Sequence, residues 1–253
     1  MQKTVRSLLA CALIGGFAQG AAAQNKGWED RAYINIGFGV ESGNTDVTDT
    51  KPFSKYDESG LLTSKSSFTS GSLLDVSVGV KVWKSLSVGV GYHQESNGAD
   101  GTLSGTVPHP IFFNTPRSFS ISVTELQRKE SAEHLVFGWT TPVGSKMDIM
   151  LFAGPSFYRF EQEVVTDALI AERGSPFTEV IVNPTRAVRK KSVTGYNAGV
   201  DVSYLLWQND SIRLGGGVFV RYTGADTTVT MMTSDQPTKI GGVQFGFGGR
   251  VRF

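Results

Sequence analysis

The segment GYHQESNGAD, Gly91 to Asp100, gathers an imidazole, a carboxylate, a hydroxyl and an amide at the end of a run of alternating apolar residues. Those are the parts of a hydrolytic site, in which an imidazole takes the proton of a hydroxyl nucleophile and a carboxylate orients the ring. Such chemistry needs His93 and Ser96 within reach of each other. In an extended strand successive side chains alternate sides, so His93 and Glu95 share one face and Ser96 lies on the other. A bulge could bring Ser96 round. Without one, the segment is a polar exit from strand to loop, and His93, Glu95 and Ser96 stand only as the alternative, catalytic reading.

The remaining ligand-type residues form no recognisable constellation. His109 sits in the proline-flanked VPHP and His134 precedes Leu135 in a strand pattern, so three dispersed histidines offer no metal-ligand spacing. NTDVTDT, Asn44 to Thr50, lacks the glycine and distal glutamate of a calcium loop. The GFGG and GGG runs precede no helical pattern and are strand glycines, not phosphate cradles. Neither a metal nor a cofactor is expected.

The elements that must position these groups follow from the start of the chain and from its periodicity. Lys3 and Arg6, an apolar run from Leu8 to Ala18 and Ala21-Ala22-Ala23 have the order of a secretory signal peptide, expected over 1–23 with a mature domain over 24–253. The single cysteine, Cys11, lies in that leader, within an LLAC that faintly resembles a lipoprotein box. A mature chain has no disulfide and no thiolate chemistry. Of 24 basic and 23 acidic residues, loss of Lys3 and Arg6 leaves 22 against 23, so charge gives no reason to expect nucleic acid. No later run approaches the ~18 apolar residues of a membrane helix.

The apolar residues instead recur with period two, the strand signature. Ile34, Ile36, Phe38 and Val40 oppose Tyr33, Asn35, Gly37 and Gly39; Val76, Val78, Val80 and Val82 oppose Asp75, Ser77, Gly79 and Lys81. The same alternation marks about eight strands, although both faces are apolar between Met147 and Phe160 and leave the parity there open. Connections alternate in length: short at Lys84-Ser85, Pro142 to Lys146 and Trp207 to Ser211, long and polar over 41–72, 95–118, 162–190 and 223–239. That is an up-and-down meander with four long surface loops.

Alternation fits a soluble barrel as well as a membrane barrel, and the polar face decides between them. It is rich in glycine and serine, which suit the crowded lumen of a narrow barrel better than a wet surface. Tyr92, Trp139, Tyr204, Tyr222 and Phe253 on the apolar face are candidates for interfacial girdles. The expected fold is all-β: an eight-stranded antiparallel up-and-down transmembrane β-barrel, monomeric, in an outer membrane.

The ending GVQFGFGGRVRF resembles the C-terminal strand of Gram-negative outer-membrane proteins, and the chain as a whole is similar to the small barrels of the OmpX and OmpA transmembrane-domain type. The resemblance implies that Phe253 serves as an insertion signal for the barrel-assembly machinery. HQESN also resembles the His-x-Ser-Asn motif of outer-membrane lipid A deacylases, with one residue too many between His93 and Ser96.

Charged residues on the polar parity, Asp75, Lys81, Asp201, Arg213, Arg221, Arg250 and Arg252, are expected to form a lumen network, because ions in a narrow interior must pair. A plug of salt bridges is favoured over a narrow ion channel. Arg128, Lys129, Arg159, Arg186, Arg189, Lys190 and Lys191 fall at similar heights on three consecutive strands. They make either a belt for lipopolysaccharide phosphates or, preferred, a cross-strand ladder with Glu130, Glu133, Glu161 and Glu163. The functional expectation is a non-enzymatic barrel serving envelope integrity or surface contact. A lipid A-modifying hydrolase or a narrow channel is the alternative.

Overall fold

The computed structural model describes residues 31–43, 45–69 and 71–253. The signal peptide expected over 1–23, with Cys11, lies outside the described residues. The first strands are β1 (Ala32–Ser42), β2 (Thr45–Lys55), β3 (Glu58–Phe68) and β4 (Gly71–Trp83). Then come β5 (Leu86–Val107), β6 (Arg117–Val143), β7 (Met147–Glu172) and β8 (Val180–Gln208), followed by β9 (Arg213–Thr230), β10 (Asp235–Ile240) and β11 (Val243–Arg252). Every pairing is antiparallel, and the ring β1-β4-β5-β6-β7-β8-β9-β11 closes when β11 pairs β1 from Tyr33↔Arg252 to Ser42↔Val243. The C-terminal residue extends that seam, with Phe253 N–H donating to Ala32 O at 3.0 Å.

The alternation sets the two faces. Phe38, Val80, Val90, Phe137, Val218 and Phe247 are each at least half exposed on the outside, while Asn35, Asp75, His93, Asp201, Arg221 and Arg250 are buried inside. The open parity at Met147 to Phe160 resolves with Asp148, Met150, Ser156 and Tyr158 inward and Leu151 and Phe157 outward. Room for long lumen side chains comes from missing ones. A Cβ on Gly79 would lie 2.5 Å from the Tyr33 ring. Outward aromatics form two belts, Trp83, Trp139, Tyr204 and Trp207 near the short turns and Tyr92, Phe157, Tyr196 and Tyr222 at the other end. Tyr196 and Tyr204 lie on one strand, about 20 Å apart for a tilted strand, close to the apolar band of a bilayer.

The long polar stretches are not loops. β5 to β8 hold 22, 27, 26 and 29 residues, far beyond the ~9–11 that cross a bilayer. They continue past the outer belt as a lobe, where β3 pairs the far half of β5 from Leu61↔Thr106 to Phe68↔Ala99 and β10 pairs β9. The lobe has apolar cores of its own, one around Leu62, Phe68, Leu103, Val123 and Leu126 and another around Phe160, Val164, Val229 and Ile240. Each such side chain contributes on the order of 1.5–3 kcal/mol by leaving water. These stretches looked like loops because polar residues lie on the outer face here, the reverse of the membrane half.

Candidate functional site

The inward faces build one polar column through the membrane half. At its centre His134, from β6, shares Nδ1 with Ser156 Oγ at 2.7 Å and Nε2 with His93 Nδ1 at 2.6 Å, their rings stacked 4.8 Å apart. The β5–β6 and β6–β7 registers bring these residues together, since Gly91 pairs His134 and His134 pairs Ser156. Sequence reading missed the contact because 93, 134 and 156 are remote in the chain and only their common inward parity links them. Gln244 Nε2 lies 3.4 Å from His93 Nε2 and donates to Glu41 Oε2 at 2.5 Å, while Gln244 Oε1 accepts from Arg221 Nε at 2.5 Å.

Below this, Arg221 pairs Asp75 at 2.6 Å, and Arg250 pairs Asp201 through two bonds of 2.5 and 3.1 Å. Arg252 donates to Asn35 Oδ1 at 2.8 Å and Ser203 Oγ at 3.3 Å. Lys81 lines the cavity beside Tyr33, Asp148 and Arg252 at the short-turn mouth of the column, and Arg213 stands there opposite Arg252. Two small cavities, about 50 and 30 Å³, lie between Tyr33, Met150 and these ion pairs. Such volumes hold a few waters, not a permeant path.

At the top of the column three carboxylates converge. Glu41, Glu95 and Glu130 are each 4 % exposed, with one oxygen of each within 4.8 Å of the others. Glu130 takes Arg128 Nε at 2.7 Å and Gly241 N–H at 3.0 Å. Arg128 and Glu130 therefore face inward, correcting the placement of both on the outer belt. The extra residue of β6 at the Glu125 bulge, with φ 62°, sets the parity so that Leu126, Arg128, Glu130 and Ala132 all point in. Height along a strand does not by itself reveal which face a side chain takes.

Ser96 faces outward, opposite Ser72 and Lys129, while His93 is fully buried. The β5–β6 irregularity falls between Ala99 and Gly101, past Ser96, so it does not join the serine to the imidazole. The hydroxyl that does meet an imidazole, Ser156, is itself sealed in the lumen.

Outside, just above the outer belt, Arg159 pairs Glu133 at 3.2 Å, Lys190 pairs Glu161 at 2.7 Å and Arg186 approaches Glu163 at 4.0 Å. Lys129 is exposed on the same outer face, whereas Lys191 and Arg189 stand opposite the inward-facing Phe160 and Gln162; Lys191 still reaches solvent, and Arg189 Nε donates to Thr230 O at 3.0 Å. Beneath the Arg159–Glu133 pair runs an apolar groove of about 470 Å³ between Val76, Tyr92 and Phe157 on one side and Val78, Val90 and Leu135 on the other.

The far end of the lobe is tied by charge. Arg117 reaches Glu172 at 2.5 and 2.9 Å, Pro108 O at 2.7 Å and Phe177 O at 2.8 Å. Hydrogen bonding from Arg117 outweighs partial burial and, aided by Tyr56, holds the Glu172 carboxyl down at about 2. Burial works against ionising Asp49, yet backbone N–H groups of Thr233, Thr50 and Met232 keep its pKa below the ordinary value and pin β2 to the β9–β10 turn. The loop held by Arg117 carries Ile111, Phe112 and Phe113, exposed by 65, 61 and 71 %. Their backbone is fixed as well, since His109 Nδ1 accepts Ile111 and Phe112 N–H groups at 3.1 Å and Glu58 accepts that of Asn114.

A closed eight-stranded ring, apolar outside between aromatic belts and ion-paired inside, satisfies every strand edge in lipid and is the architecture of small outer-membrane barrels. This chain is an outer-membrane β-barrel protein. Two solved structures overlap it: Neisserial surface protein A (NspA), with 14% identity and a TM-score of 0.40, covering 88% of this chain and 97% of that one, and OprG from Pseudomonas aeruginosa, with 10% identity and a TM-score of 0.49, covering 89% and 97%. The fold assignment rests on ring closure and the two-faced strands, not on these overlaps. No protein-family model matches the chain, and no curated protein sequence does.

Proposed function

We propose that the protein is a non-enzymatic surface-contact barrel, in which the membrane half is an anchor and the extracellular lobe carries an apolar contact tip. The observation that supports this most directly is the Ile111-Phe112-Phe113 tip. Three successive large apolar side chains stand in water on a backbone fixed by Arg117, His109 and Glu58. Exposed apolar groups on a rigid support favour binding, because little ordering entropy remains to be lost on contact. The sealed column below argues against a transport or hydrolytic role for the lumen. The test is adsorption of cells displaying the protein to octyl-coated beads. The triple change Ile111→Ser, Phe112→Ser and Phe113→Ser should abolish the adsorption that the barrel confers while leaving the protein in the membrane. Undiminished adsorption would remove the tip from the reading.

A second contact, with lipopolysaccharide, is favoured by the apolar groove beneath the Arg159–Glu133 pair, which sets an acyl-sized trough below a band of cations at headgroup height. Of the seven basic residues, Arg128 is buried and Arg189 and Lys191 stand opposite the inward-facing Gln162 and Phe160, which leaves Lys129, Arg159, Arg186 and Lys190 for the phosphates. Charge reversal at Lys129, Arg159 and Lys190 should reduce lipopolysaccharide retained through purification several-fold. Retention equal to wild type would leave the ladder as a purely structural device.

A further inference from the structure

The three lumen carboxylates are not an ordinary acidic patch. They are buried to 96 % each, and the only cationic side chain seen bonded to them among the described residues is Arg128. Arg221, the next guanidinium down the column, is engaged with Asp75 and Gln244. Three ionised carboxylates and one guanidinium leave two negative charges in a region where an uncompensated ion costs several kcal/mol. Something of charge +2 must balance them, whether two protons or one divalent cation.

Two features mark the cluster as the place where that counter-charge sits. Glu95 Oε2 is buried without any hydrogen-bond donor, although it belongs to the carboxylate that stands between Glu41 and Glu130. The fold also clears the way for that carboxylate. A Cβ on Gly71 would lie 2.3 Å from Glu95 Oε1, so β4 must carry glycine there if Glu95 is to lean across it toward Glu41 on β1.

We propose that Glu41, Glu95 and Glu130 bind one Ca²⁺ at the junction between the membrane half and the lobe. The ligand set is all oxygen, which suits a hard cation rather than zinc or copper. Three protein carboxylates whose oxygens lie within 4.8 Å of one another suit Ca²⁺, which accepts many protein oxygens in irregular geometry, better than Mg²⁺, which keeps most of its water and takes one or two carboxylates. Bound there, the ion ties β1, β5 and β6 together, and Glu130 links it to the Gly241 turn above through a hydrogen bond of 3.0 Å. This modifies the expectation of no metal site, which was drawn from histidine spacing and local loop motifs and could not see carboxylates from three separate strands.

The test is to refold the full chain into detergent micelles with CaCl2, MgCl2 or EDTA, desalt it, and measure bound metal by elemental analysis beside the melting temperature. One Ca²⁺ per chain is expected, with a melting temperature roughly 5–10 °C above the EDTA sample at a hundredfold excess over Kd. Glu95→Gln, and the double change Glu41→Gln with Glu95→Gln, remove buried charge without changing shape; both should fold and lose the calcium response. No bound metal and identical melting in CaCl2 and EDTA would mean that protons balance the cluster and would overturn the proposal. A calcium response surviving in the double variant would place the ion elsewhere and overturn it equally. A larger response to MgCl2 than to CaCl2 would refute the assignment of the ion.

Discussion

Besides its bulges, the wall of the barrel has a place where the β6–β7 ladder lapses with no change of register, and its repair makes a quantitative prediction. The β6–β7 register runs unbroken to His134↔Ser156 and resumes at Phe137↔Ala153, but no pair forms between, where Pro155 supplies no N–H. In lipid an undonated carbonyl is costly because no water reaches it. Asn197, inward-facing on β8 and 2 % exposed, covers the gap from inside: its Nδ2 donates to Gly154 O at 3.0 Å and Ser156 Oγ at 2.9 Å, with Pro155 O at 3.4 Å and Leu135 O at 3.5 Å. Removing the amide forfeits two well-made bonds, about 1 kcal/mol net each, and leaves at least one carbonyl without a donor, about 1 kcal/mol or more. Asn197→Ala should therefore cost about 3 kcal/mol, roughly a hundredfold in the unfolding equilibrium. Asn197→Asp keeps the size but replaces the donor with an acceptor, so it should cost at least as much. Urea unfolding in lipid vesicles, followed by tryptophan fluorescence, reads both. A loss below about 0.5 kcal/mol for the alanine variant, or an aspartate variant as stable as wild type, would refute the idea that a donated amide seals the gap.

Two further outcomes follow from the geometry. Arg117 holds Glu172 at about 2 against an ordinary 4.5, so the folded state binds fewer protons there than the unfolded one. Its stabilisation is complete above about 4.5 and is lost as pH falls toward about 2. Melting of the lobe should decline across that interval, and Arg117→Gln should flatten the decline; an unchanged profile in the variant would sever the link. In planar bilayers the wild-type protein should show no large, steady conductance, because Arg250–Asp201 and Arg221–Asp75 fill the lumen around cavities of about 50 and 30 Å³. Porin-like openings would show that the column parts in the membrane.

The ring was legible in the sequence because most strands with one face in lipid and one in a crowded lumen alternate strictly, as in Ile34 to Val40 and Val76 to Val82, even though Met147 to Phe160 does not. Ion pairing of Asp75, Asp201, Arg221 and Arg250 could be anticipated from parity alone. The partners could not, since Arg250 meets Asp201 from β8 and Arg221 meets Asp75 from β4 across the lumen. Pairing across a closed ring depends on register and shear, which local pattern does not encode. The same blindness hid the His93–His134–Ser156 chain, the Glu41–Glu95–Glu130 cluster and the inward turn of Arg128, each assembled from different strands. The lobe strands were illegible for another reason: their polar residues lie on the outward parity, so overall polarity there resembles that of a loop.

That reversal of pattern is itself a marker of where the bilayer ends. Down β5 the inward column reads Ser87, Gly89, Gly91, His93 and Glu95, then Ala99, Leu103 and Val107, with no change of parity. What changes is the solvent outside. Where lipid surrounds the barrel, the outer face is apolar and the inner face can be polar because its guanidinium groups meet carboxylates; where water surrounds it, the oily core moves inside as in any soluble sheet. On β6 the inward set changes from even to odd residues at the Glu125 bulge, within the same layer, and β7 gains an extra residue between Val165 and Asp167. Bulges thus let strands of 26 and 27 residues pass from one solvent to the other without breaking the ring. The carboxylate cluster sits at that junction, directly beneath the first apolar layer, where an unbalanced charge has neither lipid headgroups nor bulk water to screen it. A counter-ion bound there would couple the anchor to the lobe, so the stability of the lobe should depend on the occupancy of a site at its base.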